Sequence, residues 1–319
     1  MKKFFSVNDV VDLRAILEEA RNMKANPFQF EKLGQHKTLG LIFLNPSLRT
    51  RLSTQKAGMN LGMQVMVMNM GQEGWALETR DGVAMDGATV EHIREAAAVI
   101  GQYCDVVGLR SFPSLSNREE DYQEMLFQKF SEFCKVPVVS LESATRHPLQ
   151  SFADLLTIEE EKTKAKPRVV LSWAPHVKSL PQAVPNSFAE WMRRAQQEDM
   201  IDFCIAHPKG YELAPEFTEG VEIVHDQNQA LKEADFVYVK NWSSYEDYGK
   251  IVETQDDWML HASRLNPATR VMHCLPVRRD VELGSDILDG PQSLVQKEAG
   301  NRLWAAQTVL KNILSNLAE

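Results

Sequence analysis

Ser47, Arg49, Thr50 and Arg51 place four side-chain hydrogen-bond donors within five residues, directly behind the apolar run "LIFL" that ends at Asn45-Pro46. A strand that stops there and gives way to a helix starting near Ser47 turns free backbone N–H groups, and the positive end of a helix dipole, past the sheet edge. Two guanidiniums and two hydroxyls at that end suit a tetrahedral oxyanion, and phosphate best of all. A plainer account makes Ser47 a helix cap and the arginines partners of surface acids. Clusters elsewhere in the chain favour the anion.

Three more groups of polar residues follow apolar runs. "SATRHPLQSFADL" comes after "VPVVSLE" and carries Arg146, His147 and Gln150, with Pro148 suited to the first turn of a helix. "VGLRSFP" closes on Arg110, and "MHCLPVRRD" brings His273, Cys274, Arg278 and Arg279. Taken singly, each has an ordinary explanation: a lone histidine is more often structural, and Cys274 beside Leu275 suits a core. Ligands of open α/β sheets bind outside the carboxyl ends of the strands, so together these groups are expected to line one crevice.

The elements that must position them alternate along the chain. "TLGLIFL", "QVMVMNM", "DVVGLRS" and "VPVVSLE" read as strands, separated by helical segments such as "TRLSTQKAGMNLGM", "VEHIREAAAVIGQY" and "YQEMLFQKFSEFC". "RVVLSWA", "IDFCIAHP", "VEIVHD", "DFVYVK" and "TRVMHCLP" repeat the pattern, with helices at "NSFAEWMRRAQQ" and "QNQALKEA". The expected fold class is therefore α/β, with two doubly wound parallel-sheet domains. The domains are drawn at 1–148 and 149–319, where "LQSFADLLTIEEEKTKAKPR" reads as a helix running into a charged linker closed by Pro167. The last segment, about 298–319, sets Leu303, Ala306, Val309, Leu310, Ile313 and Leu317 on one helical face, which is expected to pack back on the first domain.

Composition narrows the class. With 319 residues, a net charge of −9 and 44% hydrophobic residues, the chain suits a soluble protein of two domains and lacks the basic face that nucleic acid or an anionic membrane demands. The amino terminus has a broken apolar stretch and no small-residue cleavage site, so the expected location is the cytoplasm. Four scattered cysteines form no CxxC pair, which speaks against a disulfide framework. Neither a Walker loop nor a GxGxxG follows any strand, and His273 and Cys274 lack partners at ligand spacing, so no cofactor and no metal are expected.

"SLRTR" at 47–51, "HPLQ" at 147–150 and "HCLP" at 273–276 together resemble the signature set of the carbamoyltransferases, the family of the aspartate and ornithine transcarbamylases. The resemblance spans essentially the whole chain. It implies one domain for carbamoyl phosphate, one for the amino acid, joining helices, and a homotrimer with active sites shared between neighbours. The Ser-Met-Gly loop of the ornithine enzymes is missing. The proline-bearing stretch at 173–191 and "FVYVKNWSSY" at 236–245 instead resemble the branch acting on N-acylated ornithine, which implies a trefoil knot in the C-terminal domain. After Met-Asp-Gly, where the acetyl enzymes carry glutamate and the succinyl enzymes proline, this chain has Val90. Without a charge to repel a second carboxylate, Val90 favours N-succinyl-L-ornithine over the alternative, N-acetyl-L-ornithine. A catalytically silent binding protein on the same fold is the alternative of another class.

The resemblance also implies roles. Ser47, Leu48 through its backbone, Arg49, Thr50 and Arg51 would hold the phosphate, and Arg302 would close that site from the C-terminal helix. Trp75 would reach it from a neighbouring subunit. Arg110, His147 and the Thr50 hydroxyl would polarise the carbonyl and stabilise the tetrahedral oxyanion, at about 3 to 4 kcal/mol per well-placed donor. Gln150 and the backbone carbonyls of Cys274 and Leu275 would accept from the carbamoyl NH2. Glu142 would accept from the acylated α-nitrogen, and His176, Lys240 and Arg278 would meet the substrate carboxylates. No side chain here is an obvious strong base, so the leaving phosphate is expected to take the proton of the attacking amine.

Overall fold

The computed structural model describes residues 1–252 and 257–318. Contacts divide the chain into two compact units: Met1–Ser114 with Glu119–Leu149 and the chain from Arg302 onward, and Leu115–Arg118 with Gln150–Asn301.

In the first unit, β1 (Thr38–Phe43), β2 (Gln64–Asn69), β5 (Val106–Arg110) and β6 (Val138–Glu142) form a parallel sheet in the order β2-β1-β5-β6. β5 and β6 are buried at every position, which is why their sequences run mostly apolar without alternation up to Arg110 and Glu142 at their ends. β2 lies at the edge and exposes Gln64 and Met66. Helices Ile93–Tyr103 and Met125–Cys134 contribute Ile93, Ala97, Phe127 and Phe130 to the same core as Val107, Leu109 and Val138. They approach closely at Gly101, where a Cβ would stand 1.8 Å from the Cys134 carbonyl oxygen. From β1 the chain goes first to β2 on one side and later to β5 on the other, so the topological switch point lies between β1 and β5. Behind β1 comes the helix Arg49–Asn60, and β5 ends on Arg110.

A two-stranded parallel ribbon, β3 (Leu77–Glu78) with β4 (Glu91–His92), also belongs to this unit. The helix expected from Val90 begins only at Ile93, because Glu91 and His92 are paired in that ribbon. The helix expected over "YQEMLFQKFSEFC" is broken at Glu124, whose φ of 47° is left-handed. In the C-terminal helix Val295–Ala318, Val309, Leu310 and Ile313 are buried as expected, but Leu317 is exposed and Leu314 takes the buried position in the last turns.

In the second unit, β7 (Arg168–Trp173), β8 (Asp202–Ala206), β9 (Glu222–Val224), β10 (Phe236–Lys240) and β11 (Arg270–Met272) form a parallel sheet in the order β11-β10-β7-β8-β9. Its switch point lies between β7 and β10. Lys240 closes β10, and His273, Cys274 and Leu275 follow β11. All four cysteines are buried thiols. Among the described residues, no helix is long and apolar enough to cross a membrane.

Candidate active site

The helix after β1 starts at Arg49, not Ser47; its N-cap is Leu48, and no side chain caps it. The plain reading of Ser47 as a cap therefore fails, and the first N–H groups of the helix are left for another acceptor. Ser47, Arg49 and Arg51 are partly exposed there, Leu48 is exposed, and Thr50 is buried.

Thr50 is the meeting point of the first unit. Its Oγ1 accepts from Arg110 Nη1 at 3.2 Å and from Arg302 Nη2 in close contact. Two donors occupy the hydroxyl's acceptor capacity, so its own proton is left to give. Arg110 Nη1 also pairs with Glu142 Oε2 at 2.7 Å, and both side chains are nearly fully buried. His147 Nε2 lies 3.3 Å from Arg302 Nη2 and 3.5 Å from Glu142 Oε2. An arginine always donates, so we assign His147 Nε2 as the acceptor and Nδ1 as the protonated nitrogen. Neither His147 Nδ1 nor Arg110 Nε has a partner among the described residues.

Burial, then the charges of Arg302, Arg110 and Arg49, push the His147 imidazole well below its usual 6.5. It stays neutral where it can donate from Nδ1. The unfolded chain takes up that proton near pH 6.5 and the folded chain does not, so the contribution of His147 lowers stability as pH drops below 6.5 and is flat above it. Melting curves between about pH 5 and 8 should show a His147→Asn variant losing less stability per pH unit than the parent below 6.5, a difference of up to about 1.4 kcal/mol per unit. Parallel curves would mean that His147 titrates alike in both states.

The loop bearing His147 is held by a residue that sequence reading missed. Glu124 Oε1 accepts from the Thr145 N–H and from the hydroxyls of Thr145 and Ser143. The left-handed turn at Glu124 that breaks the expected helix sits at this anchor. No local pattern signals it, because the partners lie some twenty residues downstream.

Trp75 and Val90 lie just outside the ribbon strands of this unit, and both are exposed, at 51% and 67%. Trp75 Nε1 donates to Glu91 Oε2 at 2.8 Å, and the Val90 N–H donates to Ala76 O at 3.1 Å. Buried Glu78 ties the intervening loop, accepting from the Thr79 and Arg80 N–H groups, the Arg80 guanidinium and the Thr89 hydroxyl. Chiefly through Arg80, these bonds hold its carboxyl at about 2.

In the second unit, Gln150 is fully buried. Its Nε2 donates to Asp154 Oδ1 at 2.7 Å and to Glu298 Oε1 at 3.0 Å, while Oε1 has no partner among the described residues. After β11, the His273 N–H donates to Glu298 Oε2 and the Leu275 N–H to His273 Nδ1, leaving His273 Nε2 facing Glu282 Oε1 at 3.5 Å. Burial alone would raise Glu282, but the facing His273 imidazole and the Lys240 charge pull it down to about 2. Burial pushes the Cys274 thiol up to about 12, so it offers its backbone and no thiolate. Leu275 is left-handed at φ 56° and precedes a cis proline. Arg278 Nε donates to His176 Nε2 at 3.2 Å, with His176 Nδ1 donating to the Lys178 carbonyl at 2.8 Å.

The expected residues thus gather in sets. Thr50, Arg49, Arg110, Glu142, His147 and Arg302 lie in the first unit, with Trp75 and Val90 apart beside its ribbon. In the second unit Gln150 is linked through Glu298 to the turn of Cys274 and Leu275, and His176 is paired with Arg278. Glu142, expected to receive an amide N–H, already holds Arg110 through one oxygen.

Residues 2–160 match the family model described as aspartate/ornithine carbamoyltransferase, carbamoyl-P binding domain, and residues 186–313 match the Asp/Orn binding domain of the same family. An N-succinylornithine carbamoyltransferase of Bacteroides fragilis (strain 638R) is 50% identical over 321 residues, spanning 99% of this chain and 100% of the relative. An N-acetylornithine carbamoyltransferase of Xanthomonas axonopodis pv. citri (strain 306) is 30% identical over 337 residues, spanning 99% and 97%. Among solved structures, an N-acetyl-L-ornithine transcarbamylase variant with a glutamate replaced by valine, complexed with carbamyl phosphate and N-succinyl-L-norvaline, matches with a TM-score of 0.88. That match has 28% identity and covers 98% of this chain and 100% of the other.

Proposed function

Because the chain belongs to the aspartate/ornithine carbamoyltransferase family, we propose that it transfers the carbamoyl group of carbamoyl phosphate to the side-chain amine of N-succinyl-L-ornithine. The products are N-succinyl-L-citrulline and phosphate. The observation that carries the chemistry is the buried, neutral His147 beside Arg49, Arg110 and Arg302, with a threonine hydroxyl that accepts from two of these arginines. Such a group is built to receive an anion and to donate to a carbonyl oxygen.

In this reading Ser47, the Leu48 backbone, Arg49, Thr50 and Arg51 hold the phosphate at the uncapped helix end, and Arg302 completes the set. Arg110, His147 Nδ1–H and Thr50 Oγ1–H donate to the carbonyl oxygen as it takes on negative charge. Gln150 Oε1 and the carbonyls of Cys274 and Leu275 accept from the carbamoyl NH2, which fixes the face offered to the amine. The amine attacks the carbonyl carbon, the C–O bond to phosphate breaks, and the departing phosphate takes the surplus proton. Glu142, while holding Arg110, accepts the amide N–H of the acylated α-nitrogen. His176, Lys240 and Arg278 meet the carboxylates.

Val90 supports succinyl as the acyl group, since a neutral residue there leaves a second carboxylate unopposed. The relative at 50% identity is named for succinylornithine, and the solved variant that carries N-succinyl-L-norvaline has valine in place of a glutamate. The exposure of Trp75 and Val90 beside a ribbon apart from the buried cluster supports a homotrimer in which both serve a neighbour's site. Pairing of Ser243 N with Leu180 O, and of Gln182 Nε2 with Ser243 O, supports a proline-bearing loop that encircles later chain as a trefoil knot. The same reading makes residues 1–148 the carbamoyl phosphate domain and 149–319 the acylornithine domain, in a cytoplasmic enzyme of arginine biosynthesis.

The deciding assay follows citrulline-type product from carbamoyl phosphate with ornithine, N-acetylornithine and N-succinylornithine in parallel. Turnover is expected with the succinyl substrate. A preference for the acetyl substrate would overturn the reading of Val90, and silence with all three would return the binding-protein alternative.

A further inference from the structure

Asp154 and Glu298 have no part in the chemistry described so far, yet both are fully buried carboxylates directed at one side-chain amide. Asp154 Oδ1 and Glu298 Oε1 both accept from Gln150 Nε2. With one on either side, the Gln150 amide has a single favourable orientation, NH2 toward the acids and Oε1 away from them. Turned over, it loses both bonds and sets oxygen against oxygen. Glu298 does more, since its second oxygen takes the His273 N–H at 2.8 Å. One carboxylate therefore ties the Gln150 side chain to the start of the turn that bears the Cys274 and Leu275 carbonyls.

We propose that Asp154 and Glu298 are positioning residues that make the protein choose a carbamoyl over an acetyl group, by locking Gln150 with its oxygen outward. The inference rests on the reading that Gln150 Oε1 accepts from the carbamoyl NH2. Acetyl phosphate isolates this contact: it shares the phosphate and the carbonyl of carbamoyl phosphate and carries a methyl group where the other has NH2. A locked acceptor gains a hydrogen bond from NH2 and is left buried and unpaired by CH3. An amide free to turn presents its own NH2 half the time and loses that distinction. Spacing makes the lock legible in retrospect, because Asp154 follows Gln150 by one helical turn.

The test compares the inhibition constant of acetyl phosphate with the KM of carbamoyl phosphate in the parent, Asp154→Asn, Glu298→Gln and the reference Gln150→Leu. Asparagine or glutamine beside Gln150 can pair with it in either orientation, so the lock is removed while size and shape are kept. The parent is expected to favour carbamoyl phosphate by about 100-fold or more. Each lock variant should lose about tenfold or more of that ratio, Glu298→Gln the more, while inhibition by inorganic phosphate, which does not touch Gln150 in this reading, stays within about threefold. A role in folding alone would weaken carbamoyl, acetyl and inorganic phosphate together and leave the ratio intact, and that result in either folded variant overturns the proposal. Should Glu298→Gln not fold, Asp154→Asn decides by itself. A parent that does not discriminate, or a Gln150→Leu variant that still does, would instead remove the reading of Gln150 on which the lock depends.

Discussion

Replacing Arg110 by methionine is expected to lower kcat/KM for carbamoyl transfer by about 10²- to 10³-fold, the usual cost of one preorganised donor to a developing oxyanion. The same change should destabilise the fold by about 3 to 5 kcal/mol, because it strands the Glu142 carboxylate, buried and paired at 2.7 Å in the parent. The two losses have different origins and can be separated. In a double variant, Arg110→Met with Glu142→Met, the stranded charge is gone, so most of the stability should return. Glu142 is itself read as a substrate-binding residue, so the activity that counts is that of Arg110→Met alone, assayed well below its melting temperature, where it should stay low. Thermal melts and steady-state rates on the two variants decide the matter. Parent-level activity of folded Arg110→Met would show that Arg110 serves the fold and not the carbonyl.

Changing Val90 to glutamate is expected to cut turnover of N-succinylornithine by roughly 10²-fold, since apposed like charges of this kind cost several kcal/mol. Turnover of N-acetylornithine, which has no second carboxylate, should fall far less, and the ratio of the two kcat/KM values is the quantity to measure. Position 90 is 67% exposed and its backbone is held by the Ala76 carbonyl, so the substitution should leave the melting temperature almost unchanged. Equal losses with both substrates would place Val90 outside the acyl pocket.

How much of this was legible in the sequence depends on range. The central strands were readable because buried parallel strands run mostly apolar up to the charged residue that ends them, as "VVGLR" and "VVSLE" do. "SLRTR" and "HPLQ" stood out because their polar residues crowd into four or five positions at the start of a helix. The ribbon was not legible: two residues per strand are too few to show any period, and its stability comes from Glu78 gathering the loop from Thr79 to Thr89. Glu124 was hidden for a related reason, lying within a run whose spacing is helical while its carboxylate answers to Thr145. Arg302 required the family resemblance, since 252 residues separate it from Thr50. Glu298 and Asp154 escaped even that, because a buried acid beside an amide reads in sequence as any other charge on a helix.

The ribbon also bears on how such proteins diverge. Its backbone bonds and the Glu78 clasp fix where residue 90 stands, and none of them involves the side chain found there. Position is inherited with the scaffold, while identity is left open to mutation. Two of the four valine codons are one nucleotide from a glutamate codon, so on the proposed reading of position 90 a lineage could change its preferred substrate in a single step, with no detour through a less stable ancestor.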